Sequence, residues 1–218
     1  MIHATCYMTH EKNMQPQTKK LTILFVVLGV LILLSGLVAY TAYAVYSKAN
    51  DNVYTRLVGR ALPVAKVGSK TVSYYKFLTM RDAINKFING EAGKAAGVTA
   101  PPENELNKNI VDRLARILVL QELGQQKNVS ISDDDVRAVF ADVVKVAASS
   151  TTPNVADYLY KNYGWNEEDF RQEVLRPALL EQKLAIELAK EKNGDMTALE
   201  TAITDRLSKS DVVFYIKF

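Results

Sequence analysis

An uninterrupted apolar run is the first feature of the hydrophobic pattern. It covers residues 21–46 and contains no Asp, Glu, Lys or Arg. About 20 apolar residues can cross a bilayer as a helix that satisfies its own backbone hydrogen bonds. Lys19 and Lys20 precede the run, and Tyr40, Tyr43 and Tyr46 stand near its far end, where an aromatic belt would lie. The pattern predicts a transmembrane helix at residues 21–46.

A cleaved signal peptide is the main alternative for this run. Ala42-Tyr43-Ala44 has the small-x-small form of a cleavage site. The apolar core of a signal peptide usually has about 7–15 residues, so this longer run favours an uncleaved anchor. The lysine pair favours a cytoplasmic N-terminus. We expect a single-pass protein of the cell membrane with a cytoplasmic tail at residues 1–20 and an extracytoplasmic C-terminal domain.

Beyond a linker at residues 47–62, the pattern predicts a mainly helical domain at residues 63–218. Two short β-prone runs flank Gly68-Ser69-Lys70 and predict a hairpin. Ser73 then caps a helix at residues 74–88, and residues 91–102 form a loop. Further helices are expected from residue 103 to about 127, at 133–147, at 155–162, from 167 to a break at Pro177, at 178–192 and at 198–207.

Apolar stripes and caps support these helices. One stripe is formed by Leu106, Ile110, Leu114, Ile117, Leu118 and Gln121, and another by Val136, Val139, Phe140, Val143, Val144 and Ala147. Ser132 with Asp135 predicts a capping box, and Thr197 with Glu200 predicts a second one. The helices therefore have defined starts and a buried side.

The side chains of the last residues should alternate between an inward and an outward face, as in a half-buried strand. Val212, Phe214, Ile216 and Phe218 should face the helices, while Val213, Tyr215 and Lys217 should face outward. Pairing of this strand with the hairpin would protect its edge. The fold class that we predict is mainly α with a small antiparallel sheet, formed by the hairpin near residue 68 and the C-terminal strand.

Composition narrows the possible functions. The formal net charge is +3, from 27 Lys+Arg and 24 Asp+Glu, which does not favour nucleic acid. His3, His10 and Cys6 all precede the apolar run, so residues 63–218 contain neither histidine nor cysteine. That excludes thiol nucleophiles, Ser-His-Asp triads and nearly every zinc site from this domain. A mechanism that uses carboxylates or lysine survives on composition alone, but no pair of carboxylate motifs can be placed together. We predict no catalytic residue, cofactor or metal, and no enzyme, with an enzyme that uses carboxylates as the alternative.

Four segments resemble the N-terminal domains of SurA-type folding factors. They are VAKVGSKTVS at residues 64–73, VDRLARILVLQEL at 111–123, VSISDDDV at 129–136 and YGWNEEDFR at 163–171. Gly68 takes the place of the glycine in the family's hairpin turn, although the usual Asn is missing. The resemblance implies an anchored or secreted folding factor. Many members also carry a parvulin prolyl-isomerase domain, but too few residues follow Leu188 for one.

The resemblance implies a chaperone-like protein that binds unfolded or newly exported polypeptides without prolyl-isomerase activity. A membrane-anchored scaffold for one folded partner is the alternative, and a degenerate relative of parvulin-type isomerases is a third. Tyr158, Tyr160, Tyr163 and Trp165 are the candidate client-binding residues, because tyrosine and tryptophan give a large contact area with few rotors. Ordinary helix packing is the competing explanation for them.

Two polar motifs also have ordinary explanations. Asn128-Val129-Ser130 fits a glycosylation sequon, which short sequences often match by chance. The run at residues 133–135 contains three aspartates that could bind a cation, but acidic residues also favour a helix N-terminus without any metal. Neither motif changes the predicted function.

Overall fold

The computed structural model describes residues 16–48, 51–149 and 154–216, with side chains in the first helix described at residue 28 and residues 31–46. His3, Cys6, His10, Lys217 and Phe218 lie outside the described residues. The chain divides into two compact units, Met1–Ala42 and Tyr43–Phe218. Measured by length and hydropathy, no helix qualifies as membrane-spanning within the part of the chain that is described.

The described residues form ten α-helices, one π-helical segment and three strands. The helices are α1 (Pro16–Lys48), α2 (Val53–Val58), α3 (Tyr74–Asn89), α4 (Glu91–Ala95), α5 (Glu103–Gln126), α6 (Asp133–Ala148), α7 (Val155–Tyr163), α8 (Glu167–Phe170), α9 (Arg176–Glu191) and α10 (Ala198–Leu207). The π-helical segment is Arg171–Leu175, and the strands are β1 (Pro63–Val67), β2 (Lys70–Ser73) and β3 (Val212–Phe214). The predicted class, mainly helical with a small antiparallel sheet, is confirmed.

The sheet joins the two ends of the second unit. Its strand order is β2-β1-β3, and β1 pairs antiparallel with both neighbours. Gly68 makes the hairpin turn with φ +58°, a left-handed conformation that glycine adopts without steric cost. The backbone N–H of Tyr215 donates to the carbonyl of Val64 at 2.9 Å. The predicted pairing of the terminal strand with the hairpin is therefore confirmed.

Helix α5 is the centre of the domain. It packs against β1, β2, α3, α9 and α10, so apolar residues around most of its circumference are buried. The predicted stripe on α5 is confirmed except at Gln121, which is exposed. Gln121 lies on the wall of a polar cavity instead of in the core. The largest fully buried side chains near α5 are Tyr74, Phe77, Leu78, Ile110, Leu114, Leu120 and Leu184.

Helix α6 begins as predicted but buries only part of its stripe. The Ser132–Asp135 capping box is present. Val136 and Phe140 are buried, whereas Val139, Val143, Val144 and Ala147 are only half-buried. The reason is that α6 packs on the π-helical segment near its own N-terminal half. Within the described residues, no helix completely covers the second half of the apolar stripe.

The predicted break at Pro177 takes the form of a change in helical winding. Because proline has no N–H to donate, the regular ladder cannot continue across it. The chain passes from α8 through the π-helical segment into α9, where Pro177 occupies the first turn. A single-turn π-bulge is a common way to absorb such an irregularity in a helix.

Two local predictions are wrong. The segment predicted as a loop at residues 91–102 begins with the short helix α4, because Gly93 lets this turn approach α3 closely; a Cβ there would lie 2.3 Å from the Phe87 carbonyl. Thr197 precedes α10 but forms no side-chain cap. Its hydroxyl instead donates to Asp195 at 2.7 Å.

The terminal strand is shorter and less buried than the alternation predicts. Val212 is half-buried and Ile216 is 4% exposed, in agreement with the predicted inward side. Phe214 was expected to face inward but is 42% exposed. Its side of β3 lies at the edge of the sheet, beside an open cavity against α5, and no helix covers it fully.

Candidate binding groove

An open groove of about 490 Å³ lies beside the under-packed half of α6. Residues from α3, α5, α6, α7, α8 and the π-helical segment form its walls. They are Met80, Ile84, Arg113, Val143, Ala147, Val155, Tyr158, Leu159, Tyr163, Trp165, Phe170 and Val174. We refer to this feature as the apolar groove. Its volume falls within the roughly 300–1,000 Å³ that is usual for binding pockets.

The apolar groove exists because the two helices at its rim stay apart. Val143 and Ala147 on α6 and Val155 on α7 are half-buried, so their side chains face both the core and solvent. Tyr158 is 36% exposed. These residues leave apolar surface open to water, and a continuous open apolar patch with polar surroundings is typical of an interaction site.

Tyr163 and Trp165, which line the groove, belong to a stack of aromatic rings. The ring of Tyr163 lies parallel to Phe87, with centroids 5.0 Å apart, and its other neighbour Trp165 is at 5.5 Å. Gly164 between them has φ +73° and ends α7 in a left-handed turn, which places the two rings side by side. Burial, and then the nearby Tyr158, raise the pKa of the Tyr163 hydroxyl.

The structure brings three of the four predicted aromatic residues together. Tyr158, Tyr163 and Trp165 line the apolar groove, and Trp165 also belongs to the hydrophobic core. Tyr160 is not among the groove residues and is 69% exposed. The Lys86 ammonium lies 5.1 Å from the centre of its ring and donates to its carbonyl at 2.7 Å. Whether these residues contact a client stays a prediction.

Most of the groove wall was missed by the sequence analysis. Met80 and Ile84 come from α3, and Phe170 and Val174 come from the segment before Pro177. The half-filled stripe on α6 was the available signal, because it contains Val143 and Ala147. Nothing in the sequence indicated that segments so far apart along the chain would surround one groove.

One buried polar atom in the groove wall has no partner. The indole Nε1 of Trp165 donates to no acceptor within the described part of the chain, although Trp165 is only 8% exposed. A buried donor without an acceptor is costly, by roughly 1–3 kcal/mol. The wall of the groove therefore contains a buried hydrogen-bond donor beside its apolar side chains.

A second cavity, of about 320 Å³, lies between α5 and α9 and has a more polar wall. Lys70, Gln121, Gln125 and Arg176 line it together with Leu180. Arg176 is already engaged there, because it donates to the Ile131 carbonyl at 2.7 Å and pairs with Asp133. The apolar groove is therefore the better candidate for binding apolar chain segments.

The acidic run at the start of α6 is neutralised by side chains from the protein itself. Asp133 pairs with Arg176, and Asp134 pairs with Arg137. Asp135 accepts from the Lys183 ammonium at 3.1 Å. Across the described residues, no cluster of three or more His, Cys, Asp or Glu side chains is placed to hold a metal ion. Asn128 has φ +54° just beyond α5; its glycosylation stays a prediction.

Comparison with known proteins assigns this architecture to a family. A family model described as SurA-like N-terminal domain matches residues 12–185. This match covers most of the chain and all of the segments that carry the resemblance up to α9. No curated protein and no solved structure gives a significant match.

Proposed function

Because the chain belongs to the family of SurA-like N-terminal domains, we propose that it binds unfolded or newly exported polypeptides and has no prolyl-isomerase activity. This family is chaperone-like, and the matched domain is its non-catalytic part. The observation that carries the proposal is the apolar groove, which is open and lined mainly by aliphatic and aromatic side chains.

The shape of the groove favours an unfolded client over one folded partner. A folded partner presents few protruding apolar side chains, because these are buried in its own core. An unfolded segment offers them freely, and a concave surface can enclose them one or two at a time. Removing apolar surface from water contributes about 25 cal/mol per Å², without requiring a particular sequence. A groove of this kind suits a client-binding protein that accepts many chains.

We also propose that the apolar run at residues 21–46 anchors the protein in the cell membrane, with the N-terminus in the cytoplasm and the larger unit outside it. Support comes from the absence of charged residues in the run and from the preceding lysine pair. Exposed apolar side chains continue after it: Val53, Tyr54 and Leu57 on α2 are 80%, 68% and 72% exposed. Surfaces of this kind are frequent near a lipid interface.

The client-binding proposal can be tested with a matched pair of substitutions on α6. Val143 lines the groove, whereas Val146 is on the same helix, is 71% exposed and does not line it. We expect Val143→Glu to weaken suppression of client aggregation by roughly tenfold, since desolvating a polar group costs about 1–3 kcal/mol. Val146→Glu should behave like the wild type. The assay uses the full chain in nanodiscs and a chemically denatured client.

A second pair guards against a variant that misfolds. Tyr158→Glu alters the groove, and Tyr160→Glu alters a neighbouring exposed ring on the same helix. Circular dichroism and thermal melting establish that each variant keeps its fold. Equal suppression by all four folded variants and the wild type would rule out the apolar groove as the client-binding surface.

A further inference from the structure

Arg113 is the one charged side chain in the wall of the apolar groove as the structure describes it. The remaining groove residues are aliphatic, aromatic or methionine. Arg113 lies on α5 and is exposed, so its guanidinium is available to a bound molecule. Its position gives an otherwise uncharged binding surface a single positive charge.

Arg113 has no carboxylate partner within the described part of the chain. The contrast with Arg116, one turn further along α5, is informative. Arg116 donates to Glu181 at 2.8 Å and to Glu200 at 2.9 Å, and so it is neutralised by α9 and α10. Among residues 16–48, 51–149 and 154–216, no ion pair or hydrogen bond of this kind engages Arg113. The positive charge beside the groove is left for a ligand to neutralise.

We propose that the apolar groove selects polypeptide segments in which an acidic residue flanks an apolar stretch, with the client carboxylate paired to Arg113. This inference rests on the proposed client-binding function and names the class of client. The apolar side chains would occupy the space between Val143 and Tyr158. The guanidinium would then receive the flanking carboxylate, in the two-pronged geometry that arginine forms with carboxylates.

The size of the preference follows from the exposure of Arg113. Exposed ion pairs contribute about 0.2–1 kcal/mol, so the preference for an acidic flank should be about 1.4- to fivefold. Charges at the rim of an interface mainly affect partner choice and association rate, while apolar burial supplies most of the affinity. The preference should therefore disappear at high salt, while binding itself persists.

Fluorescence anisotropy with two labelled peptides tests this selection. Both peptides have the same apolar core, and they differ only in a flanking Asp or Asn. The full chain in nanodiscs should bind the Asp peptide about 1.4- to fivefold more tightly at low ionic strength. At about 1 M salt, where the Debye length is about 3 Å, the two affinities should become equal.

Variants identify the residue responsible. Arg113→Gln should remove the preference, and Arg113→Glu should reverse it. Arg60→Gln is the matched control, because Arg60 is an exposed arginine outside the groove that packs over the Tyr75 ring. It should retain the wild-type preference.

The outcomes separate this inference from the proposed function. Failure of the wild type to bind either peptide would overturn both. Equal binding of the two peptides by the wild type would overturn the selection alone and leave the client-binding function intact. A preference that survives unchanged in Arg113→Gln would also overturn it, because another cation would then be responsible.

Discussion

Asp135 fixes the start of α6 with one carboxylate. Its Oδ2 accepts from the backbone N–H of Ser132 at 3.0 Å, and the Ser132 hydroxyl accepts in turn from the Asp135 N–H at 3.1 Å. Lys183 on α9 reaches the same oxygen. The hydrogen bond from Ser132, together with Lys183, lowers the pKa of Asp135 to about 2. This residue therefore ties one wall of the apolar groove to α9.

Acid should loosen α6 in a defined pH range. Because the folded-state pKa of Asp135 lies below its ordinary value of 3.8, its stabilising contribution is present above that value and is lost as the pH falls towards about 2. We expect the amide protection factors in α6, which are corrected for the intrinsic pH dependence of exchange, to fall over this range. The Asp135→Asn variant should show a weaker dependence there. Hydrogen exchange measured by NMR provides the test.

Asp134→Asn is the control for this titration, because Asp134 pairs with the exposed Arg137 on its own helix and with no other cation in the described segments. It should keep the wild-type dependence. If Asp134→Asn and Asp135→Asn lose the dependence equally, the net charge of the acidic run is responsible, and the specific cap is not.

Single residues also mark the limit of prediction from sequence. The Ser132–Asp135 box could be predicted because its partners are three positions apart, and because Lys183, which also contacts the Asp135 carboxylate, displaces neither of its two hydrogen bonds. The same spacing at Thr197 and Glu200 misled, because Asp195 accepts the Thr197 hydroxyl and backbone N–H first, at 2.7 and 2.8 Å. Glu200 meanwhile pairs with Arg116 on α5. A local motif predicts a cap only when no other group takes the donors and acceptors that would form the two hydrogen bonds of the cap.

Among the secondary-structure elements, α6 had a predictable position but an unpredictable environment. Its period and cap are encoded within seventeen consecutive residues, 132–148. How deeply its stripe is buried depends on where the π-helical segment and α7 lie, and those are determined by packing far along the chain. The apolar groove is made from this incomplete burial. Its walls extend from Met80 to Val174 in the sequence, so no local pattern contains it.

The residues of the terminal strand should contribute unequally to the free energy of unfolding. Arg206 on α10 holds Asp211 at 2.8 Å and Glu122 of α5 at 3.0 Å, which fixes the chain just before β3. Beyond β3, Ile216 is buried in the main core. The strand is thus secured at both ends, although Phe214 between them is 42% exposed.

Two alanine substitutions should separate these contributions. Ile216→Ala removes a buried side chain and should lower the free energy of unfolding by about 2–5 kcal/mol, including the cavity that it leaves. Phe214→Ala removes a larger side chain that is substantially exposed and should cost less than about 1 kcal/mol. Urea unfolding of the full chain in nanodiscs measures both. Equal losses would mean that the end of the chain does not belong to the core.

At the scale of the whole molecule, the chain combines an apolar N-terminal helix with a second unit that has its own core. The core of that unit contains the sheet and α5, and its hydrophobic cluster begins at Val45. Such a core is expected from the alternating and helical periods of residues 63–218.

Topology in the cell is the remaining prediction, and it follows from charge and length. The run at residues 21–46 contains no charged residue, and if it inserts as proposed, Lys19 and Lys20 should hold its N-terminal end in the cytoplasm. An alkaline phosphatase reporter fused after Phe218, which is active only outside the cytoplasm, should therefore be active. Replacing both lysines with glutamate should reduce that activity, while the same change at Lys108 and Lys145, both exposed in the second unit, should not. Carbonate extraction should leave the full-length chain in the membrane pellet. An inactive fusion would reverse the proposed orientation, and a mature N-terminus at Val45 would replace the anchor with a signal peptide.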